Sequence, residues 1–211
     1  AQRALNRKDA VRINSWEEIK DIEAKDLVDY KTIIIDTFGK MCDVIKLSIL
    51  QNDIKGAKEF ATNSLAPKGY GILGTLFVDF ILKLKSYKKD IVIISHQTAI
   101  SKKVNRVETI KYELKAPGKM GKEYIYEIAD LMCYTYIDDN KRIINFNPTA
   151  EHDGKNCAEF PLLYVPNLKE NPTYLADLIK QAKDKMNSKS AEQIKAEQEF
   201  QEVLDDINRL D

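Results

Sequence analysis

Apolar residues along this chain fall into runs of distinct period, and each period predicts an element. Thr32-Ile33-Ile34-Ile35 runs straight into Asp36 without alternating polar residues. A run apolar on both faces marks a central strand of a covered, usually parallel, sheet. Asp90-Ile91-Val92-Ile93-Ile94 is a second such run and ends in Ser95-His96-Gln97. Between them Ile72, Leu73, Leu76, Phe77, Phe80, Ile81 and Leu84 recur at helical spacing, which predicts an amphipathic helix from Tyr70 to about Tyr87. Strand, helix, strand is a βαβ unit, whose strands run parallel with a right-handed crossover. Asp36 and Ser95-His96-Gln97 then emerge on the same edge of the sheet.

The remaining pattern fills in around this unit. Val11-Arg12-Ile13 reads as a short strand, and Ser15-Trp16-Glu17-Glu18 as a capping box that opens a helix through about Ala24. Phe38 to Leu50 is helical, and Gln51 to Gly69 is a polar loop. Val107 to Leu114 alternates like a strand, and Pro117-Gly118 marks a turn. Ile128 to Ile137 is a third apolar strand, which Asp138-Asp139-Asn140 turns into Arg142 to Asn147 as an antiparallel edge hairpin. Asn171-Pro172 opens a helix with a stripe of Leu175, Leu178, Ile179 and Ala182. The expected organisation is an α/β core over residues 1–186, mostly parallel with an antiparallel edge hairpin and flanking helices. An acidic amphipathic helix follows over 187–211.

At 211 residues, 44% apolar and 31% charged, the chain has the composition of an ordinary folded protein. Lys+Arg and Asp+Glu cancel at 33 each, but their distribution does not. From Lys83 to Lys122 eleven basic residues face three acidic ones, and from Glu192 to Asp211 two face seven. A basic middle and an acidic tail suggest a polyanion surface or head-to-tail contact in a homo-oligomer, with plain solvated surface as the other reading. Cys42, Cys133 and Cys157 are odd in number and widely spaced, so neither a disulfide framework nor a metal spacing is present. Cys133, inside an apolar run, is expected to be a core thiol. Cysteine usage and the lack of a membrane-length apolar segment point to a reducing, cytoplasmic setting without a membrane partner.

An acid after a buried parallel strand is where nucleotide-hydrolysing sites hold Mg²⁺ and its water shell, the Walker B arrangement. Asp36 stands there, with Thr37 next to it. A polar residue ending the neighbouring strand can hydrogen-bond a terminal phosphate or the attacking water, and the candidates are His96 and Gln97. Ala116-Pro117-Gly118-Lys119-Met120-Gly121-Lys122-Glu123 imitates the phosphate-binding G-x-x-x-x-G-K-[ST], but Ala opens it and Glu closes it. It reads as a basic turn. Lys115, Lys119 and Lys122 are candidate contacts for a nucleic-acid backbone, or solvated lysines.

Taken in order, several stretches carry a family resemblance. They are Arg3 to Val11, Ser15-Trp16-Glu17-Glu18, Ile33 to Thr37, Ile94 to Gln97, Ala129-Asp130, and Gly154-Lys155-Asn156 through Val165-Pro166-Asn167. The series resembles phage-type nucleotide-binding proteins with a RecA-like, P-loop NTPase core, a group that includes single-strand annealing ATPases of phage recombination. The resemblance implies ATP and Mg²⁺ as cofactors, Asp36 as the Walker B acid and His96 or Gln97 as the sensor. Lys155 resembles a basic finger reaching a neighbouring subunit's phosphates; a surface lysine is the equal alternative. In that family a P-loop unit precedes the stretch matching Ala1-Gln2-Arg3, and no such motif occurs in this chain. The abrupt start leads us to expect a piece beginning after the P-loop, the other possibility being a relative that lost it. The expected activity is ATP hydrolysis coupled to single-stranded DNA binding. A non-catalytic DNA-binding or assembly protein is the rival, and a metal-dependent nuclease would need carboxylates beyond Asp36 and Asp130.

Overall fold

The apolar run at 32–36 forms strand β1 (Thr32–Asp36), paired in parallel with β2 (Asp90–Ile94) in the register Ile34↔Val92 and Asp36↔Ile94. The computed structural model describes residues 10–52, 54–59, 64–104, 107–116 and 120–188. The chain divides into two compact units, Ala1–Ala129 and Asp130–Asp211. The helix expected over 187–211 lies almost wholly outside the described residues.

In the first unit β1 and β2 are linked through α1 (Phe38–Gln51) and α2 (Pro67–Ser86). The helix expected from Phe38 is α1, with Thr37 as its N-cap and Gly39 and Lys40 in its first turn. Pro67 opens α2 from its first turn, where its missing N–H has no helical partner to lose. The two helices pack on each other and on the strands. Phe38, Ile45, Ile49, Leu73, Phe77, Ile81 and Leu84 are almost fully buried there. Phe38 and Phe77 meet edge to face at 4.7 Å, and Trp16 meets Phe80 likewise at 5.2 Å. Ile35 is buried, whereas Ile34 is 52% and Ile94 43% exposed. Because successive strand residues alternate faces, Ile34, Asp36, Val92 and Ile94 share the face that the helices leave bare. The expected sheet, mostly parallel and covered on both sides, is therefore corrected: among the described residues its parallel part has two strands and one covered face.

Other elements of this unit depart from the sequence pattern. Residues 15–21 form turns rather than a helix, followed by a short 3-10 helix at Ala24–Leu27. Glu18 does reach back, but to the Asn14 amide at 3.2 Å. Only Trp16 and Ile19 are buried in this stretch, too few to hold an amphipathic helix. Val11-Arg12-Ile13 has no strand pairing. The basic segment folds as an antiparallel hairpin, β3 (Gln97–Val104) against β4 (Val107–Leu114), with Gln97 opposite Leu114. Then α3 (Met120–Ile128) takes up Ile128, which the apolar pattern had assigned to a strand.

The second unit is built on its own core of Phe146, Ala158, Phe160, Leu178 and Ala182. The expected hairpin is present as β6 (Tyr134–Asp138) and β7 (Lys141–Asn145), turned through Asp139 and Asn140, both at positive φ. It is completed by β9 (Leu163–Tyr164). These strands make a sheet of their own and are not paired to β1 or β2, which corrects the expected antiparallel edge. A short pair, β5 (Leu131–Met132) with β8 (Lys155–Asn156), lies in the same unit. Helix α4 (Tyr174–Asn187) begins after Asn171-Pro172 with Thr173 as N-cap.

Cys133 is exposed, not a core thiol; the buried cysteine is Cys42 on α1. Burial pushes the Cys42 thiol up to about 12. The unfolded chain ionises near the ordinary thiol value of about 8.5. Stability contributed by the neutral thiol is thus complete below that value and lost as pH rises toward 12. Denaturant melts between pH 8.5 and 10.5 should fall by up to about 1.4 kcal/mol per pH unit more steeply than those of Cys42→Ala. Equal slopes would mean that the folded protein exposes this thiolate.

Candidate functional site

Parallel pairing puts the carboxyl ends of β1 and β2 side by side, the edge at which open α/β sheets bind ligands. Asp36 closes β1, and His96 and Gln97 follow β2 by two and three residues. All three sequence candidates are exposed at this edge. The Asp36–Thr37 peptide is cis. The Asp36 carboxylate forms no hydrogen bond or ion pair among the described residues.

A cavity of about 340 Å³ opens at the same edge. Thr37, Gly39, Lys40 and Asp43 line it from α1, and His96, Lys115 and Ala116 from the roots of the β3–β4 hairpin. Thr37 caps α1 with its backbone only, and its Oγ1 is buried without a hydrogen-bond partner. The first amides of a helix likewise lack intrahelical acceptors and attract anions. Lys40 reaches Asp43 at 3.3 Å. The roots of the hairpin are tied together: the Lys115 amide donates to the His96 carbonyl at 2.8 Å, and the Ser95 hydroxyl lies 2.9 Å from that carbonyl and 3.3 Å from the Lys115 carbonyl.

The candidate nucleic-acid lysines do not behave as one row. Lys115 lies at the cavity. Lys122 on α3 is engaged by Glu113 and sits over the Tyr126 ring at 5.7 Å. Lys119 lies outside the described residues. Lys155 is half-buried on β8 opposite Met132, within the second unit. Sequence reasoning missed Lys40, Asp43 and the placing of Lys115. Lys40 and Asp43 share one helical face at i, i+3 once α1 is known to begin at Phe38. Nothing local signals Lys115, which reaches the site only because a hairpin returns the chain.

A model of the AAA domain matches residues 2–158, well over half of the chain. The chain belongs to the AAA domain family. Comparison with curated proteins and with solved structures yields no match. Membership carries the α/β fold of P-loop NTPases and nucleotide binding, and AAA ATPases generally use ATP with Mg²⁺. The residues at this edge of the AAA domain fit such a ligand. An unpartnered Thr37 hydroxyl, open helix amides and an unpaired Lys115 suit phosphate oxygens, and Asp36 suits one water-mediated position on Mg²⁺. Among the described residues no three His, Cys, Asp or Glu side chains converge as metal ligands. The carboxylate cluster that a metal-dependent nuclease needs is therefore not formed by them. No helix among the described residues is long and apolar enough to cross a membrane.

Proposed function

We propose that this AAA domain is that of a RecA-like ATPase that acts on single-stranded DNA in phage or mobile-element recombination or replication, as a homo-oligomer in the cytoplasm. The observation that carries the nucleotide part is the meeting of Asp36 and His96-Gln97 at one sheet edge, beside a cavity lined by the first turn of α1. Asp36 would hold Mg²⁺ through its water shell, and His96 and Gln97 would orient the attacking water and report on the terminal phosphate. Mg²⁺, when bound, would supply neutralisation of the phosphate charge. Thr37 would donate its free hydroxyl to phosphate. Lys155 remains a proposed contact to a neighbouring subunit's nucleotide. DNA binding is proposed on the basic stretch of residues 83–122, Lys115 at the cavity excepted, whose composition suits a phosphate backbone.

No G-x-x-x-x-G-K-[ST] occurs in the 211 residues, and P-loop amides with their lysine supply much of the phosphate affinity in such enzymes. ATP should therefore bind this chain only in the millimolar range by calorimetry, while fluorescent oligonucleotides should bind with affinity that falls steeply with salt. In an intact protein that supplies a P-loop, Asp36→Asn should lower hydrolysis by roughly 100-fold or more, with single-stranded DNA affinity unchanged. Unimpaired hydrolysis by that variant would sink the reading. The absent motif also favours a second reading, a non-catalytic DNA-binding or assembly protein, in which no ATP-dependent step responds to Asp36.

A further inference from the structure

The charges around the cavity do not balance. Lys40 is matched by Asp43 at 3.3 Å. Lys115, at the same cavity, has no ion pair or side-chain hydrogen bond among the described residues, and no second carboxylate lines the wall. A lysine beside a helix start adds to the field of the helix rather than offsetting it, so the cavity lining itself carries a net positive charge, with the unpaired Asp36 carboxylate outside that lining at the same sheet edge. Two further features point to an anion with several acceptor oxygens. The Thr37 hydroxyl is buried in the wall with nothing to bond. Gly39 lines the cavity without a side chain, and a Cβ there would meet no atom within 4 Å. Packing does not demand that glycine, and its absent side chain leaves the amides of the first turn open.

Connectivity gives this chemistry a consequence. His96 stands at the entry to the hairpin and Lys115 at its exit, nineteen residues later, yet the two are joined by the 2.8 Å bond from the Lys115 amide to the His96 carbonyl. Both roots of one hairpin thus face one cavity. We propose that Lys115 binds a phosphoryl group in this cavity together with the first turn of α1, with His96 facing the same group from the other root of the β3–β4 hairpin. Lys115 is thereby assigned to the phosphate site and not to a nucleic-acid backbone. The inference rests on the nucleotide reading only for the carrier of the phosphoryl group, which could be a nucleotide or free phosphate.

The chain holds two histidines, so imidazole resonances give a two-signal readout with an internal control. His152 is 7% exposed in the second unit, stacked on Tyr134 at 4.7 Å. Titrating the full chain with inorganic phosphate, and separately with ATP and Mg²⁺ at millimolar concentration, should move the His96 signal and leave His152 in place. Lys115→Ala should weaken phosphate binding about tenfold, as loss of a charge-assisted hydrogen bond does. Lys115→Arg should restore most of it, and Lys115→Ala should leave the salt slope of single-stranded DNA binding unchanged. Phosphate affinity unaffected by Lys115→Ala, or a flattened DNA salt slope, would overturn the assignment. The two readings separate cleanly. If phosphate moves His96 through Lys115 but ATP with Mg²⁺ does not, the nucleotide reading fails and this inference stands. If ATP with Mg²⁺ moves His96 equally in wild type and Lys115→Ala, this inference fails and the nucleotide reading stands.

Discussion

Phe77→Ala should lower the stability of the first unit by roughly 3–5 kcal/mol and loosen the phosphate site with it. Phe77 is wholly buried on α2, and its ring meets Phe38 edge to face at 4.7 Å. Phe38 is the first residue of α1 and directly follows Thr37 in the cavity wall. Gly121 on α3 completes the contact: a Cβ there would lie 3.4 Å from Phe77 and 3.5 Å from Phe38. One aromatic pair therefore fixes the start of α1 against two other helices. Truncation removes transfer energy and leaves a cavity that three rigid helices cannot collapse to fill. Urea melts of the wild type and the variant would measure the loss. Phosphate titration of the folded fraction should show weaker binding than in wild type. A cost near 1 kcal/mol would mean that the helices reclose over the gap, and that α1 is not held by this pair.

The elements that the sequence made legible are those whose apolar residues keep one period along the chain. The apolar runs at 32–35 and 91–94 and the helical stripe from Ile72 to Leu84 each commit to one period, and β1, β2 and α2 follow them. Asp36 and His96 were placed correctly because parallel pairing is a consequence of that order. The hairpin was half visible. Val107 to Leu114 alternates, but Gln97 to Val104 carries Lys102 and Lys103, and a strand that faces water has no apolar signature to read. With β3 unrecognised, Lys115 remained a residue of a basic stretch, although pairing returns it to His96. The opposite error occurred at Ile128. There an apolar helix end and the next strand formed one run across Ala129-Asp130, and short apolar runs do not distinguish the two. The bare face carrying Ile34 and Ile94 is equally invisible to pattern, because an isoleucine records what it prefers to bury and not what is present to cover it.

Gly154→Ala should cost the second unit roughly 3 kcal/mol, because the added methyl meets backbone that cannot move aside. A Cβ at this position would lie 2.4 Å from the Phe146 carbonyl oxygen and 2.8 Å from both the Asn147 carbonyl carbon and the Pro148 nitrogen. Phe146 is a core residue packed on Phe160 at 5.4 Å, so the obstructing segment is anchored from its other side. Relief must come from the chain after Gly154, which enters β8 at once. That displacement would pull on Asn156. Its amide nitrogen donates to Asn147 Oδ1 and to the Phe160 carbonyl, each at 2.8 Å, while its Oδ1 accepts from the Phe160 amide at 2.8 Å. Loss of this side-chain network strips partners from the part-buried Asn156 amide and the Phe160 backbone groups, which moves toward the costly arm of hydrogen-bond exchange. Lys155 lies between Gly154 and Asn156, so its proposed role beside a neighbouring subunit depends on the same close approach. Hydrogen exchange followed by mass spectrometry should show protection lost over residues 130–188 and retained in β1, β2, α1 and α2, as expected for units with separate cores. Equal loss in both units would show that they unfold as one, and unchanged protection would show that the loop yields where the close approach says it cannot.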